Sequence, residues 1–62
     1  MSTFRVEIEL DNAAFDPSPD DEVCRILRAL LQRLERDDLQ SEKRLVDING
    51  NTVGRAWVEE DV

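Results

Sequence analysis

The chain changes its apolar rhythm once and then changes it back, and that double switch leaves few folds open to it. Residues 3–10, TFRVEIEL, alternate: Phe4, Val6, Ile8 and Leu10 fall on one side, and Thr3, Arg5, Glu7 and Glu9 on the other. A period of two with one apolar side predicts a strand with one face on a core and one in water. From residue 23 the spacing becomes three and four. Val23, Ile26, Leu27, Leu30 and Leu34 form a stripe, Leu31 and Cys24 flank it, and Arg25, Arg28, Gln32 and Arg36 lie opposite. That is the pattern of an amphipathic helix. The period of two returns at Arg44, in RLVDI and TVGRAWV on either side of Asn49-Gly50.

Local chemistry marks the boundaries. Asp11-Asn12 and Asp16-Pro17 are turn sequences, and a residue before proline avoids the helical region. Phe15, the one large apolar residue there, is expected to pin the loop to the core. Ser18 can cap a helix, Pro19 fits its first position, and Asp20, Asp21 and Glu22 face the positive end of its dipole. The helix is predicted over 19–36, with Asp21 paired to Arg25 one turn on. No glycine stops it; DDLQSE supplies a polar exit, with Leu39 folding back. Asn49-Gly50 predicts a two-residue type I′ turn, which sets Ile48 opposite Asn51 and Val46 opposite Val53. In that register Val46, Ile48, Val53 and Trp57 share a face with Arg55, and Leu45, Gly54 and Ala56 take the other. Residues 59–62 read as a frayed acidic tail.

The order is β-α-β-β, a single small α+β domain over residues 1–62. One helix can cover one face of three strands, whereas parallel sheets need cover on both. Putting the third strand in the middle makes both neighbours antiparallel to it, in the order 1-3-2. The expected core is Phe4, Val6, Ile8, Phe15, the helix stripe, Val46, Val53 and Trp57, with Cys24 at its edge.

Composition narrows the function. The chain is 40% hydrophobic and 37% charged, and no apolar run approaches the roughly 20 residues of a membrane helix. The opening MSTFRVEIEL alternates, as the apolar centre of a signal peptide does not. There is no histidine and one cysteine, so no disulfide forms within the chain, which fits a reducing cytosol. Cys24 lies among Asp20, Asp21 and Glu22, surroundings that leave a thiol inert. Without histidine, Ser-His and Cys-His nucleophile pairs are excluded, and zinc would have to settle for one thiol and carboxylates. No catalytic residue, metal or cofactor is expected. DINGNTVG spaces Asp47, Asn49 and Asn51 like the first ligands of a calcium loop, but such a loop needs glycine sixth and glutamate twelfth. Those places hold Thr52 and Val58, and Gly50 falls fourth, where a hairpin wants it. The stretch reads as a turn.

Fifteen acids against eight bases give a net charge of −7. Such a chain is repelled by nucleic acid and by anionic membranes, and it suits a basic partner. Glu7 and Glu9 project from the wet face of the first strand about 6.7 Å apart, near two nucleotides of axial rise. Asp11, Asp16, Asp20, Asp21 and Glu22 crowd the adjoining loop and helix start, and Glu59, Glu60 and Asp61 end the last strand. The wet sheet face and its two ends are therefore expected to be acidic. Such a face fits a groove built for phosphates, although edge charges also serve simply to block aggregation.

FRVEIELDNAAF together with DINGNTVG resembles short proteins encoded by bacterial viruses and mobile elements. In size, acidity and lack of catalytic residues the chain is similar to small acidic phage inhibitors of the anti-CRISPR and anti-restriction type, which look like DNA to the enzyme they block. That resemblance implies a DNA-mimic inhibitor acting in the bacterial cytoplasm on a basic nucleic-acid-handling protein, such as a CRISPR effector subunit. It carries over no site residue. The contact residues expected from the charge map are Glu7, Glu9, Asp11, Asp16, Asp20, Asp21 and Glu22. The alternative is a small structural or assembly protein, a homodimer that pairs strand edges or buries Leu45, Ala56 and Val58 from the outer sheet face.

Overall fold

The computed structural model describes residues 1–60. Strand β1 (Ser2–Ile8) leads through a short 3-10 turn (Ala13–Phe15) into helix α1 (Pro19–Arg36), and β2 (Lys43–Val46) and β3 (Thr52–Glu60) follow. β3 lies between β1 and β2 and runs antiparallel to both, giving the order β1-β3-β2. This is the α+β arrangement the sequence predicts, with the helix bounds unchanged. The narrowest dimension, 17 Å, holds one helix layer on one sheet layer about 10 Å away and leaves the other sheet face open.

The core consists of Phe15, Ile26, Leu30, Leu45, Val53 and Ala56, with Ile8, Ala14, Val23 and Leu34 at its margin. Full burial of each large side chain here is worth about 1.5–3 kcal/mol. Phe15 reaches the core from the 3-10 turn, which Asn12 caps by accepting the Ala14 N–H at 2.8 Å. Among the described residues no helix is long and apolar enough to cross a membrane.

The helix start differs in detail from expectation. Ser18 holds the capping position but its side chain makes no capping bond. Arg25 pairs with Glu22, Nε to Oε1 at 2.9 Å, and not with Asp21. Glu22 is only 7% exposed, on the side of α1 that meets the hairpin, so Arg25 can bond both it and the Val46 carbonyl. Asp21 points to water and offers no such pair of partners. The helix exit is closed by Lys43, whose buried ammonium donates to the carbonyls of Asp38 at 2.6 Å and Ser41 at 3.0 Å. Leu39 stays exposed instead of folding back.

The hairpin turn is longer than the sequence predicts. Asp47 C=O accepts the Gly50 N–H at 3.0 Å, and Asp47 N–H donates to Asn51 C=O at 2.9 Å, which leaves a three-residue loop of Ile48, Asn49 and Gly50. A type I′ turn requires positive φ at both central residues. Here Gly50 alone has it, at 87°. A second irregularity, between Leu45 and Val46, then shifts the ladder back, so that Leu45, Arg44 and Lys43 face Gly54, Arg55 and Ala56. Those are the pairs a two-residue turn would have made.

The faces expected of the hairpin residues, however, are reversed for every one of them but Val53, which is buried as expected. Leu45 and Ala56 are buried beneath α1, Val46 and Trp57 are half-buried, and Ile48 is exposed. The register with β1 decides this, because Val6 faces Ala56 and Ile8 faces Gly54. Small residues at 54 and 56 leave room for Phe15, Ile26 and Leu30, and an indole there would hold the helix off. Trp57 instead lies on the open face with the Arg55 guanidinium 4.0 Å from its ring centre. Phe4, Val6, Leu27 and Cys24, all expected in or beside the core, remain exposed. Leu45 and Ala56 are thus unavailable to a dimer built on the outer face. Glu59 and Glu60 belong to β3 and are not a frayed tail, while Asp61 and Val62 lie outside the described residues.

Candidate binding surfaces

Ten of the acidic residues fall into three environments; Glu35, Asp37 and Asp38 lie at the far end of α1 and Glu60 at the end of β3. Glu7 projects from the open sheet face opposite Arg55. That face also carries Arg5, bonded to Glu59 at 2.6 Å, and Arg55, paired with Glu42 at 3.5 Å. Arg44 lies directly across from Arg55. Arg5, Arg44 and Arg55 therefore stand among Glu7, Glu9, Glu42 and Glu59, and the open face is close to balanced, one negative charge in excess, where the sequence predicts an acidic one. The arginines come from strands that are distant in sequence but adjacent in the sheet.

Glu22 and Asp47 form the second environment, an internal latch. Glu22 Oε2 accepts the Ile48 N–H at 2.8 Å, so its carboxylate joins α1 to the hairpin loop as well as to Arg25. Asp47 Oδ1 accepts the N–H groups of Asn49 and Asn51, each at 2.9 Å, and its Oδ2 accepts Asn12 Nδ2 at 2.8 Å. Arg25 in the first place, helped by Ile48, holds the Glu22 carboxyl below the usual range against the opposing pull of burial. For Asp47 burial pushes upward, and the donors from Asn51, Asn12 and Asn49 outweigh it. The apparent calcium spacing of DINGNTVG is thus a carboxylate saturated by N–H donors. Among the described residues no three histidine, cysteine, aspartate or glutamate side chains gather as a metal set. Glu22 is consumed inside the fold and is not part of the displayed acidic surface.

The third environment is one end of the molecule. Glu9, Asp11, Asp16, Asp20 and Asp21 all lie between the end of β1 and the first turn of α1, and all are exposed. None has a lysine or arginine within ion-pair distance among the described residues. Of the seven acids expected at a contact, Asp11, Asp16, Asp20 and Asp21 form one uncompensated group, Glu9 and Glu7 border it from the open face beside Arg44 and Arg55, and Glu22 is buried.

A fourth surface, apolar, is absent from the sequence reading. Phe4 and Val6 of β1 and Leu27 and Leu31 of α1 stay exposed. The signal was present in the helix, whose apolar arc from Ile26 to Leu31 spans about 140° at 100° per residue, more than a two-stranded footing covers. Comparison with protein families, curated proteins and solved structures gives no match.

Proposed function

We propose that the protein is a non-catalytic binding module whose acidic end occupies a basic, nucleic-acid-binding surface of another protein, in the manner of the phage-type, anti-CRISPR-like inhibitors it resembles. One observation carries this reading: the exposed carboxylates of Asp11, Asp16, Asp20 and Asp21 share one end with no ion-pair partner among the described residues, with Glu9 and Glu7 adjoining, while the acids of the sheet face stand among arginines and those of the latch are hydrogen-bonded. An unbalanced group of this kind raises the local negative potential and attracts a basic groove from a distance. The contact is assigned to Asp11, Asp16, Asp20 and Asp21 with Glu9 and Glu7 at its border, and not to the open sheet face. The reading places the protein in the bacterial cytoplasm, where the exposed thiol of Cys24 stays reduced.

The test is capture from a bacterial lysate on the immobilised chain. The expected result is a nucleic-acid-binding protein, released by high salt and by competing duplex DNA, and lost when Asp11, Asp16, Asp20 and Asp21 are all changed to Lys. Recovery of no such protein, or binding indifferent to salt and to those changes, would sink the proposal.

A further inference from the structure

β1 and β2 are the two edges of the sheet, and the protein treats them differently. Along β2 the carbonyls of Arg44 and Val46 accept from Arg33 and Arg25 of the helix, so α1 closes over that edge. β1 has no such guard. Glu9 N–H donates to Val53 C=O at 2.8 Å, which fixes the parity of the ladder. Odd-numbered residues of β1 bond inward to β3, and Phe4, Val6 and Ile8 turn their N–H and C=O groups outward. The strand has no proline, its register with β3 is unbroken, and no charge points to its helix side. Those are three of the devices that normally blunt a free edge, and the charges that β1 does carry, Arg5 and Glu7 on the open face, are of opposite sign.

The side chains above this edge are equally unguarded. Phe4 and Val6 are 39% and 40% exposed on the helix side of the sheet. Arg25 and Arg33 mark the β2 side of α1, so Leu27 and Leu31 flank Ile26 and Leu30 on the β1 side. They are 42% and 57% exposed. The buried positions Glu22, Ile26 and Leu30 are centred about 70° away from the middle of the apolar arc, toward β2. The helix thus leaves half of its apolar arc hanging over an open strand.

We propose that a second copy of the chain fills this space. β1 of one protomer pairs antiparallel with β1 of its partner about a two-fold axis at Val6, joining six strands into one sheet with Leu27 and Leu31 of both helices above the seam. The sequence of β1 selects that register. The outward-bonding residues must meet each other, so Val6 can lie opposite the partner's Val6, Phe4 or Ile8 and nowhere nearer. With Val6 on the axis, Phe4 meets the partner's Ile8, and Arg5 meets the partner's Glu7 twice, once from each side. Sliding one step either way sets Arg5 against Arg5 or Glu7 against Glu7, and like charges directly opposite are destabilising. The antiparallel arrangement also sends the two acidic ends to opposite extremes of the dimer, where a net −7 on each copy repels least.

Sedimentation velocity from micromolar to several hundred micromolar chain, in low and high salt, tests the proposal. The expected species is a dimer that tightens as salt screens the repulsion, opposite to the salt response expected of the acidic end, so either reading can fail alone. Val6→Pro removes an N–H that points away from β3 in the monomer. It should leave the circular dichroism intact and weaken the dimer about tenfold or more. Leu31→Glu, at an exposed position, should do the same without touching the strand. For the register, Arg5→Cys and Glu7→Cys chains are mixed in a Cys24→Ser background. As a non-hydrogen-bonded pair these positions have Cα atoms about 4.5 Å apart, within disulfide range. A mixed disulfide should form, with neither chain linking to itself comparably. A monomer at every concentration, a dimer untouched by both Val6→Pro and Leu31→Glu, or self-linking as ready as mixed linking would overturn the proposal.

Discussion

Gly54→Ala should be the most damaging single-methyl change in this chain. A Cβ at that position would land within the contact radius of the Glu7 carbonyl oxygen, 2.8 Å from the Glu7 carbonyl carbon and 3.0 Å from Ile8 Cα. All three are backbone atoms of β1, so no rotamer change relieves the overlap and β1 must move away from β3. Such a shift strains the ladder bonds around Glu7 and Glu9. Two or so lost bonds at about 1 kcal/mol each, plus an overpacking term of about 1–3 kcal/mol, give a cost of about 3–5 kcal/mol. A domain of this length has only about 3–9 kcal/mol to lose. Gly50→Ala is the control: nothing lies within 4 Å of its Cβ, and only the φ of +87° resists the substitution. That costs about 1–2 kcal/mol. Urea unfolding followed by fluorescence of Trp57, the single tryptophan, measures both. With a slope of about 1 kcal/mol per molar, the midpoints of the two variants should differ by about 2 M. If Gly54→Ala proves as mild as Gly50→Ala, the close approach of β1 to β3 is not a constraint and the reasoning fails.

Two further predictions concern the helix and the latch. Leu30→Ala should cost about 2–5 kcal/mol because it leaves a cavity among Phe15, Ile26 and Leu45, whereas Leu31→Ala, one residue on and exposed, should stay within about 0.5 kcal/mol in monomeric samples; equal losses in the same urea assay would refute the assigned helix face. Glu22 and Asp47 have folded-state pKa values below their unfolded ones, so the stability they contribute is complete above about pH 4.5 and drains away as pH falls through the folded values. Thermal midpoints recorded from neutral pH downward should therefore fall on the acid side, and Glu22→Gln combined with Asp47→Asn should flatten that limb; an unchanged acid limb would show that the latch does not titrate with folding.

The elements were legible because their signals are local. Alternation in TFRVEIEL, the stripe from Val23 to Leu34 and the Ser18-Pro19 start specify a strand and a helix from residues within a few positions of one another. The order 1-3-2 followed from covering one face with one helix. The pairing of Leu45, Arg44 and Lys43 with Gly54, Arg55 and Ala56 was readable too, although the turn that produces it was not: Asp47, as the acceptor for Asn49, Asn51 and Asn12, makes a three-residue loop more favourable than the two-residue turn that Asn49-Gly50 suggests.

What the chain alone determined, then, was which stretches are helix and strand, how they connect, and that the surface is acidic in sum. Which side of β3 meets the helix was settled only when Val6 and Ile8 came to lie against Ala56 and Gly54. Whether the acids of the open face meet arginines depends on partners as many as 54 residues away, and whether Glu22 turns to Arg25 or to water depends on the hairpin loop 26 residues on, where Ile48 N–H meets its carboxylate. A periodic pattern records which residues share a side. It does not record which side folds against what, because that choice is made by packing volume and charge pairing between segments that are neighbours only in space.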